Sequence, residues 1–426
     1  MRPPLGTAQP RCRGAKTSIW EDFVLHRRSA IAAAALALAA PRLARAADTT
    51  GITADEIRIG NTAPYSGPAS AYGTIARCEA AFFRMVNERG GVAGRKVTFL
   101  SYDDGYSPPK TVEQVRRLVE QDRVACLFQN VGTACNSAIV RYANQRKVPH
   151  LFVGSGADKW GNYQDTPWSI GWQPSYRIEA QIYTHHMLRE RPDAKLALLY
   201  QNDDFGKDYV VGVRDVLKDR FNAVVRTASF EVTDPTVDSQ ILSLQSSGAE
   251  VLLTAATPKF AAQAIRKVHD VGWRPALHFL TNVSISAGAV MNPAGPEKGT
   301  GIITSAYLKD STDPSWRDDP GMQEWRAFMQ QYYPDGDLTD AGNVFGYGIA
   351  ATMLQVLRQC GRDLSRERLI QEAANLRTVE VPVLLPGIRV DTGPANYHPI
   401  RQMQLARWTG TTWQRFGGVF EGATAS

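Results

Sequence analysis

Cysteine is scarce in this chain, five in 426 residues, and the four beyond residue 46 (Cys78, Cys126, Cys135 and Cys360) match neither a zinc site nor a redox pair in their spacing. Buried free thiols are the expectation for Cys126 and Cys135, even in an oxidising compartment. Zinc hydrolysis lacks its ligands too. No H-E-x-x-H segment occurs, and His185 and His186 are neighbours on a predicted helix, so they face different ways. A nucleophile elbow is missing, because Gly154 and Gly156 flank Ser155 directly and not at the G-x-S-x-G spacing. These residues imply no enzyme, no metal and no cofactor. Gly346-Tyr347-Gly348 with Ala351 imitates a dinucleotide fingerprint but falls inside a predicted helix, where helix packing is the better reading. The basic excess is confined to residues 1–46, which hold eight of 48 Lys and Arg and two of 42 Asp and Glu, leaving 40 of each. A neutral remainder gives no electrostatic reason to bind nucleic acid. The uncharged run from Ser29 to Pro41 is shorter than the roughly 20 residues that span a bilayer.

That run has another use. Arg27-Arg28 precede it and Ala44-Arg45-Ala46 follow it, the order of a secretory signal peptide and its small-residue cleavage site. Residues 1–46 are expected to be a signal peptide with an N-terminal extension, cut near Ala46, and the mature protein to be periplasmic. The paired arginines fit twin-arginine export, and the absence of Phe and Leu after them fits the general secretory route. About 380 residues remain, more than one core usually supports, so two domains are expected.

From Ile57 onward short apolar runs alternate with amphipathic segments, the pattern of parallel strands joined by crossover helices. The pattern predicts strands at 57–62, 96–102, 124–129 and 150–153, with helices at 71–87, 109–121 and 134–146 between them. A second set follows, with strands at 195–200, 224–230, 251–254 and 277–280. Helices are expected at 322–332, 341–359 and 365–375, then a β-rich tail from Val381 to Phe420 with a hairpin around Gly410. Ser70 is placed to cap the first helix and Thr133 the third.

The segment Ile57 to Gly73, IRIGNTAPYSGPASAYG, carries a strand into a small-residue turn and a helix start, and Gly90-Gly91-Val92-Ala93-Gly94 and Tyr102-Asp103-Asp104 follow it. These motifs, Ser66-Gly67-Pro68 before Tyr72-Gly73 above all, resemble the periplasmic solute-binding proteins of branched-chain amino acid (Leu/Ile/Val-binding) ABC transporters. The resemblance implies an α/β type I periplasmic binding fold, two Rossmann-like lobes with parallel sheets joined by a three-segment hinge. Lobe 1 would comprise 53–172 and 304–388, lobe 2 would comprise 173–303 and 389–420. Crossings are expected near Gly171 to Gln173, Gly301 to Thr304 and Gly387 to Val390. In relatives a disulfide can link the loops after the second and third strands; the corresponding residues here are Tyr106 and Gly132, so that bridge is missing. The implied role is that of a monomeric binding protein that captures a small carboxylated solute and delivers it to ABC permease subunits. A ligand-sensing receptor on the same fold and, less favoured, a periplasmic hydrolase are the alternatives.

Ligands of open α/β sheets sit beyond the carboxyl ends of strands. By resemblance, Val131, Thr133, Gly154, Ser155 and Gly156 would hold a carboxylate through amides and hydroxyls, while Tyr72 and Phe205 would cover the ligand with aromatic rings. Relatives place an acid for the ligand's ammonium in or beside Thr281-Asn282-Val283-Ser284, where this chain has none, so Asn282 is the candidate from that loop. That departure, with Trp160, Trp168, Trp172, Tyr163 and Tyr176 near the first crossing, admits an aromatic or other organic acid beside a branched-chain amino acid.

Overall fold

In a computed structural model, residues 47–422 are described, and the expected signal peptide lies outside them. Two sheets organise the chain. The first has the order β2-β1-β3-β4-β5, with β1 Glu56–Ala63, β2 Lys96–Asp103, β3 Cys126–Phe128, β4 His150–Leu151 and β5 Ser169–Ile170. All its pairings are parallel. The second repeats that order with β7 Val225–Phe230, β6 Leu196–Gln201, β8 Val251–Ala255, β9 Leu277–Leu280 and β10 Ile303–Ala306. It then adds β11 Gln402–Trp408 and β12 Trp413–Glu421 as an antiparallel hairpin. Helices cover both faces, which is why β8 is apolar at nearly every position and wholly buried.

Long helices fill the crossovers: α1 Gly73–Glu88, α2 Pro108–Arg116, α3 Thr133–Gln145, α4 Tyr176–Glu190, α5 Asp204–Leu217, α6 Asp238–Ser246 and α7 Pro258–Asp270. After β10 come α8 Pro320–Tyr332, α9 Ala341–Cys360 and α10 Arg366–Ala373. The chain leaves the first sheet after β5 and enters the second through α4 and β6. The other two crossings come later than expected. Thr304 belongs to β10, which stays in the second sheet through Ala306. The segment around Val390 remains bound to first-sheet neighbours, with Val390 bridged to Val379 and Thr392 N–H donating to Leu376 O, and the chain enters the second sheet at Gln402.

Two helix starts also differ from expectation. Ser70 caps nothing, because Ser70–Tyr72 forms a single 3-10 turn ahead of α1. Thr133 is the first residue of α3, and the cap is Gly132 at φ 103°, a backbone glycine adopts readily. Tyr106 does meet Gly132: a methyl at that glycine would lie 2.5 Å from the Tyr106 ring. Aromatic packing thus joins the two loops that a disulfide can join in relatives. All four described cysteines are free and buried.

Candidate ligand-binding site

Each sheet reverses strand direction of growth once, between β1 and β3 and between β6 and β8, and such switch points open crevices at the carboxyl ends of strands. The two crevices face one another across a cleft of about 1270 Å³, open mouth included. From the first sheet it takes Tyr72, which follows β1, Gln129, Val131 and Thr133, which follow β3, and Gly154, which follows β4. From the second it takes Phe205 after β6, Thr257 after β8 and Asn282 after β9. Tyr176, at the start of α4, joins them and packs its ring 4.8 Å from that of Phe205.

Six of the eight expected residues therefore line one cleft: Tyr72, Val131, Thr133, Gly154, Phe205 and Asn282. Ser155 and Gly156 do not. The Ser155 hydroxyl is buried in a bond with Thr133 Oγ1 at 2.7 Å and accepts from Trp160 Nε1 at 2.8 Å and Ala157 N at 3.1 Å, so its capacity is used. Gly156 is turned against Pro174 and Tyr176, and its carbonyl accepts from Tyr176 N.

The expected cradle of free amides is also largely spent. Val131 N–H donates to Thr62 O, Gly132 N–H to Gly154 O, Gly154 N–H to Asn130 O and Ser155 N–H to Val153 O, all at 2.8–3.0 Å. The Gly132 and Gly154 bonds continue the ladder between the two loops beyond the ends of β3 and β4, the Val131 bond reaches back to β1, and the Ser155 bond closes within its own loop. Only the first amides of α3, which have no side-chain cap, keep the character of an anion site.

An acid missing from the Thr281–Ser284 loop arrives from elsewhere. Glu179 on α4 is fully buried, and its carboxylate accepts from Asn282 N at 2.9 Å, Asn282 Nδ2 at 2.8 Å, Ser305 Oγ at 2.8 Å and the hydroxyls of Tyr183 and Tyr209. Burial pushes its pKa up to about 7 against those donors. Glu179 stands behind the cleft wall, and Asn282 and Ser305 present the surface. A helix position three residues after Tyr176 gives no hint of this in sequence. Asp203 caps α5, while Asp204 pairs with Lys159 at 2.6 Å.

Among the aromatics near the first crossing, Trp160 and Trp172 are core residues, Trp172 donating to Thr352 Oγ1, and Tyr163 packs on Tyr397. Only Tyr176 of that group reaches the cleft. Tyr307, Trp316, Phe345 and Arg415, none of them among the expected residues, also line the cleft. The wall is predominantly apolar. Among the described residues no cluster suits a metal ion, and no helix is long and apolar enough to cross a membrane.

A model of the periplasmic binding protein family matches residues 56–412. The Leu/Ile/Val-binding protein homolog 7 of Brucella abortus is 23% identical over 288 residues, 65% of this chain and 71% of its own. A branched-chain amino acid ABC transporter protein of Thermus thermophilus, solved with bound valine, superposes with a TM-score of 0.76 at 14% identity, over 88% of this chain and 98% of its own. A fatty acid ABC transporter substrate-binding protein of Thermomonospora curvata superposes with a TM-score of 0.75 at 19% identity, over 89% and 95%.

Proposed function

Because the chain belongs to the periplasmic binding protein family, with solute-binding proteins of the Leu/Ile/Val type and not enzymes as its relatives, we propose that it captures a small carboxylated solute for an ABC permease. The lobes of this reading divide at the sheets, 47–172 with 307–400 and 173–306 with 401–422. The solute sits between them and draws them shut, since a ligand that touches both lobes binds the closed form more tightly. Export and cleavage near Ala46 place the working protein outside the cytoplasm in this reading, where it acts as a monomer.

The observation that carries the reading is the composition of the cleft. Tyr72, Phe205 and Tyr176 supply apolar faces, and Thr133 with the uncapped start of α3 supplies polar capture. The surface facing a would-be ammonium is the neutral Asn282, with the Glu179 carboxyl, whose pKa burial pushes up to about 7, bonded behind it. That arrangement favours an aromatic or aliphatic organic acid over an α-amino acid, in keeping with the structural likeness to a fatty acid ABC transporter substrate-binding protein.

Thermal-shift screening of the purified protein against amino acids, aromatic acids and acyl acids tests this, because a ligand of the native state raises the midpoint. The expected outcome is a saturable rise with an organic acid, weakened several-fold by Thr133→Val with the fold intact. A rise with sugars or polyamines alone, and none with any acid, would overturn the reading.

A further inference from the structure

We propose that Arg415 anchors the ligand's carboxylate and that the ligand is an elongated apolar monocarboxylate, an acyl chain or a phenyl ring on a short tether, lying along the second sheet. This rests on the reading of the cleft as a site for a carboxylated solute.

Arg415 lines the same cleft as Thr133, yet among the described residues its guanidinium has neither an ion-pair nor a hydrogen-bond partner. It lies over the Trp316 ring at 4.3 Å. The ring face holds the cation without taking up its N–H groups, and a guanidinium with free N–H groups can receive a carboxylate with two parallel bonds. The carboxylates nearby bond to other groups and none pairs with Arg415. Asp310 accepts from Thr412 Oγ1 at 2.8 Å and Trp413 N at 2.9 Å, Asp313 from Ser315 N at 2.8 Å, and Asp340 from Gly342 N at 2.9 Å and Ser286 Oγ at 2.8 Å. Lys309 is spent on Asp319 at 2.7 Å. At the other end of the cleft the loop amides of Val131, Gly132, Gly154 and Ser155 are bonded within the protein, which leaves the first amides of α3 beside Thr133 and the Arg415 guanidinium as the anion-binding groups, and only Arg415 carries a full charge.

Sheet order supplies the length. Arg415 is on β12 and Asn282 follows β9, three strand spacings away, which at about 4.8 Å each amounts to roughly 14 Å. Side chains of β12 cover much of that distance themselves, as Trp413 Nε1 does in donating to Ile285 O at 2.8 Å, and what the arginine leaves open suits a medium-length acyl chain or a tethered ring better than the short side chain of leucine. The wall between is apolar, with Ala406, Ala306, Ile285 and Phe345.

Calorimetry of the wild type, Arg415→Gln and Arg415→Lys with hexanoate, octanoate, decanoate, 3-phenylpropanoate, octanamide and leucine decides the matter. Wild-type affinity should rise roughly threefold per added methylene until the cleft is full. Arg415→Gln should lose about 10- to 100-fold for the acids and stay within about twofold for octanamide, with Arg415→Lys between. Retained octanamide binding shows that the variant is folded. Equal binding of octanoate by all three proteins would remove Arg415 and leave the carboxylate reading standing. Leucine binding more tightly than every longer acid would overturn the elongated ligand, and failure of any acid to bind the wild type would overturn both.

Discussion

Glu179 shows how much can depend on one side chain that never touches the cleft. Its carboxylate holds Asn282 by both N and Nδ2, which leaves Asn282 Oδ1 buried without a partner. Folding raises its pKa from 4.5 to about 7 through burial, so between those values the native state holds the extra proton and stability falls as pH rises. The effect is on the order of 3 kcal/mol by pH 7 and constant above it. Glu179→Gln abolishes this titration. The buried neutral His150 and His278 titrate in both proteins and cancel from the comparison. The expected result is that the Tm of Glu179→Gln improves relative to wild type by a few degrees between pH 5 and pH 8, and a pH-independent difference would show that Glu179 does not titrate there. The family resemblance pointed to Tyr72, Thr133 and Phe205, and each follows a strand whose carboxyl end opens on the crevice. Sequence reasoning could not find Glu179 or Arg415, because a helix face and an antiparallel tail carry no such rule. It overrated Ser155, whose hydroxyl satisfies Trp160 and Thr133 before any ligand.

At the scale of elements, close approach of backbones decides what glycine does here. Gly346 and Gly348 lie inside α9, where it crosses α1 and the Trp172 segment, so the fingerprint-like spacing serves helix packing. A methyl at Gly346 would lie 2.8 Å from Ile75 O and 3.1 Å from Cys78 Cβ, and main chain cannot yield as a side-chain tip can. Gly346→Val is therefore expected to cost about 1–3 kcal/mol by overpacking, exceeding any gain over glycine in helix propensity. Chemical denaturation would show it as a lower midpoint at unchanged m-value, and an unchanged midpoint would mean that α9 can shift away from α1. Most helices and the long strands were readable, since their apolar periods follow from burial on one or two faces. β4 and β5 have two residues each, too few to carry a period, and the crossings after Ala306 and before Gln402 depend on pairings between strands far apart in sequence.

At the scale of the whole molecule the two sheets meet at the rim of the cleft through small polar contacts. Tyr72 Oη donates to Val283 O at 3.2 Å, Asp158 N–H to Asp208 at 2.8 Å, Ser286 Oγ to Asp340 at 2.8 Å, and Lys159 pairs with Asp204 at 2.6 Å. Each joins a residue that follows a first-sheet strand, or that begins α9, to one that follows a second-sheet strand or lies on the helix after it. Contacts this modest suit a hinge, because a strong latch would hold the cleft shut without ligand and remove the difference between states that binding must exploit. The Lys159–Asp204 pair is half exposed, 39% and 51% for the two side chains, so it is worth about 0.2–1 kcal/mol to the closed form. Removing it with Lys159→Ala lowers the closed population, and apparent affinity falls by the same factor, about 1.5- to 5-fold, although Lys159 lies outside the ligand cleft. The loss should reside in a faster dissociation rate by stopped flow, and high salt should erase the difference between variant and wild type by screening the pair. Equal dissociation rates at low salt would mean that the pair contributes nothing to the difference between the open and closed forms.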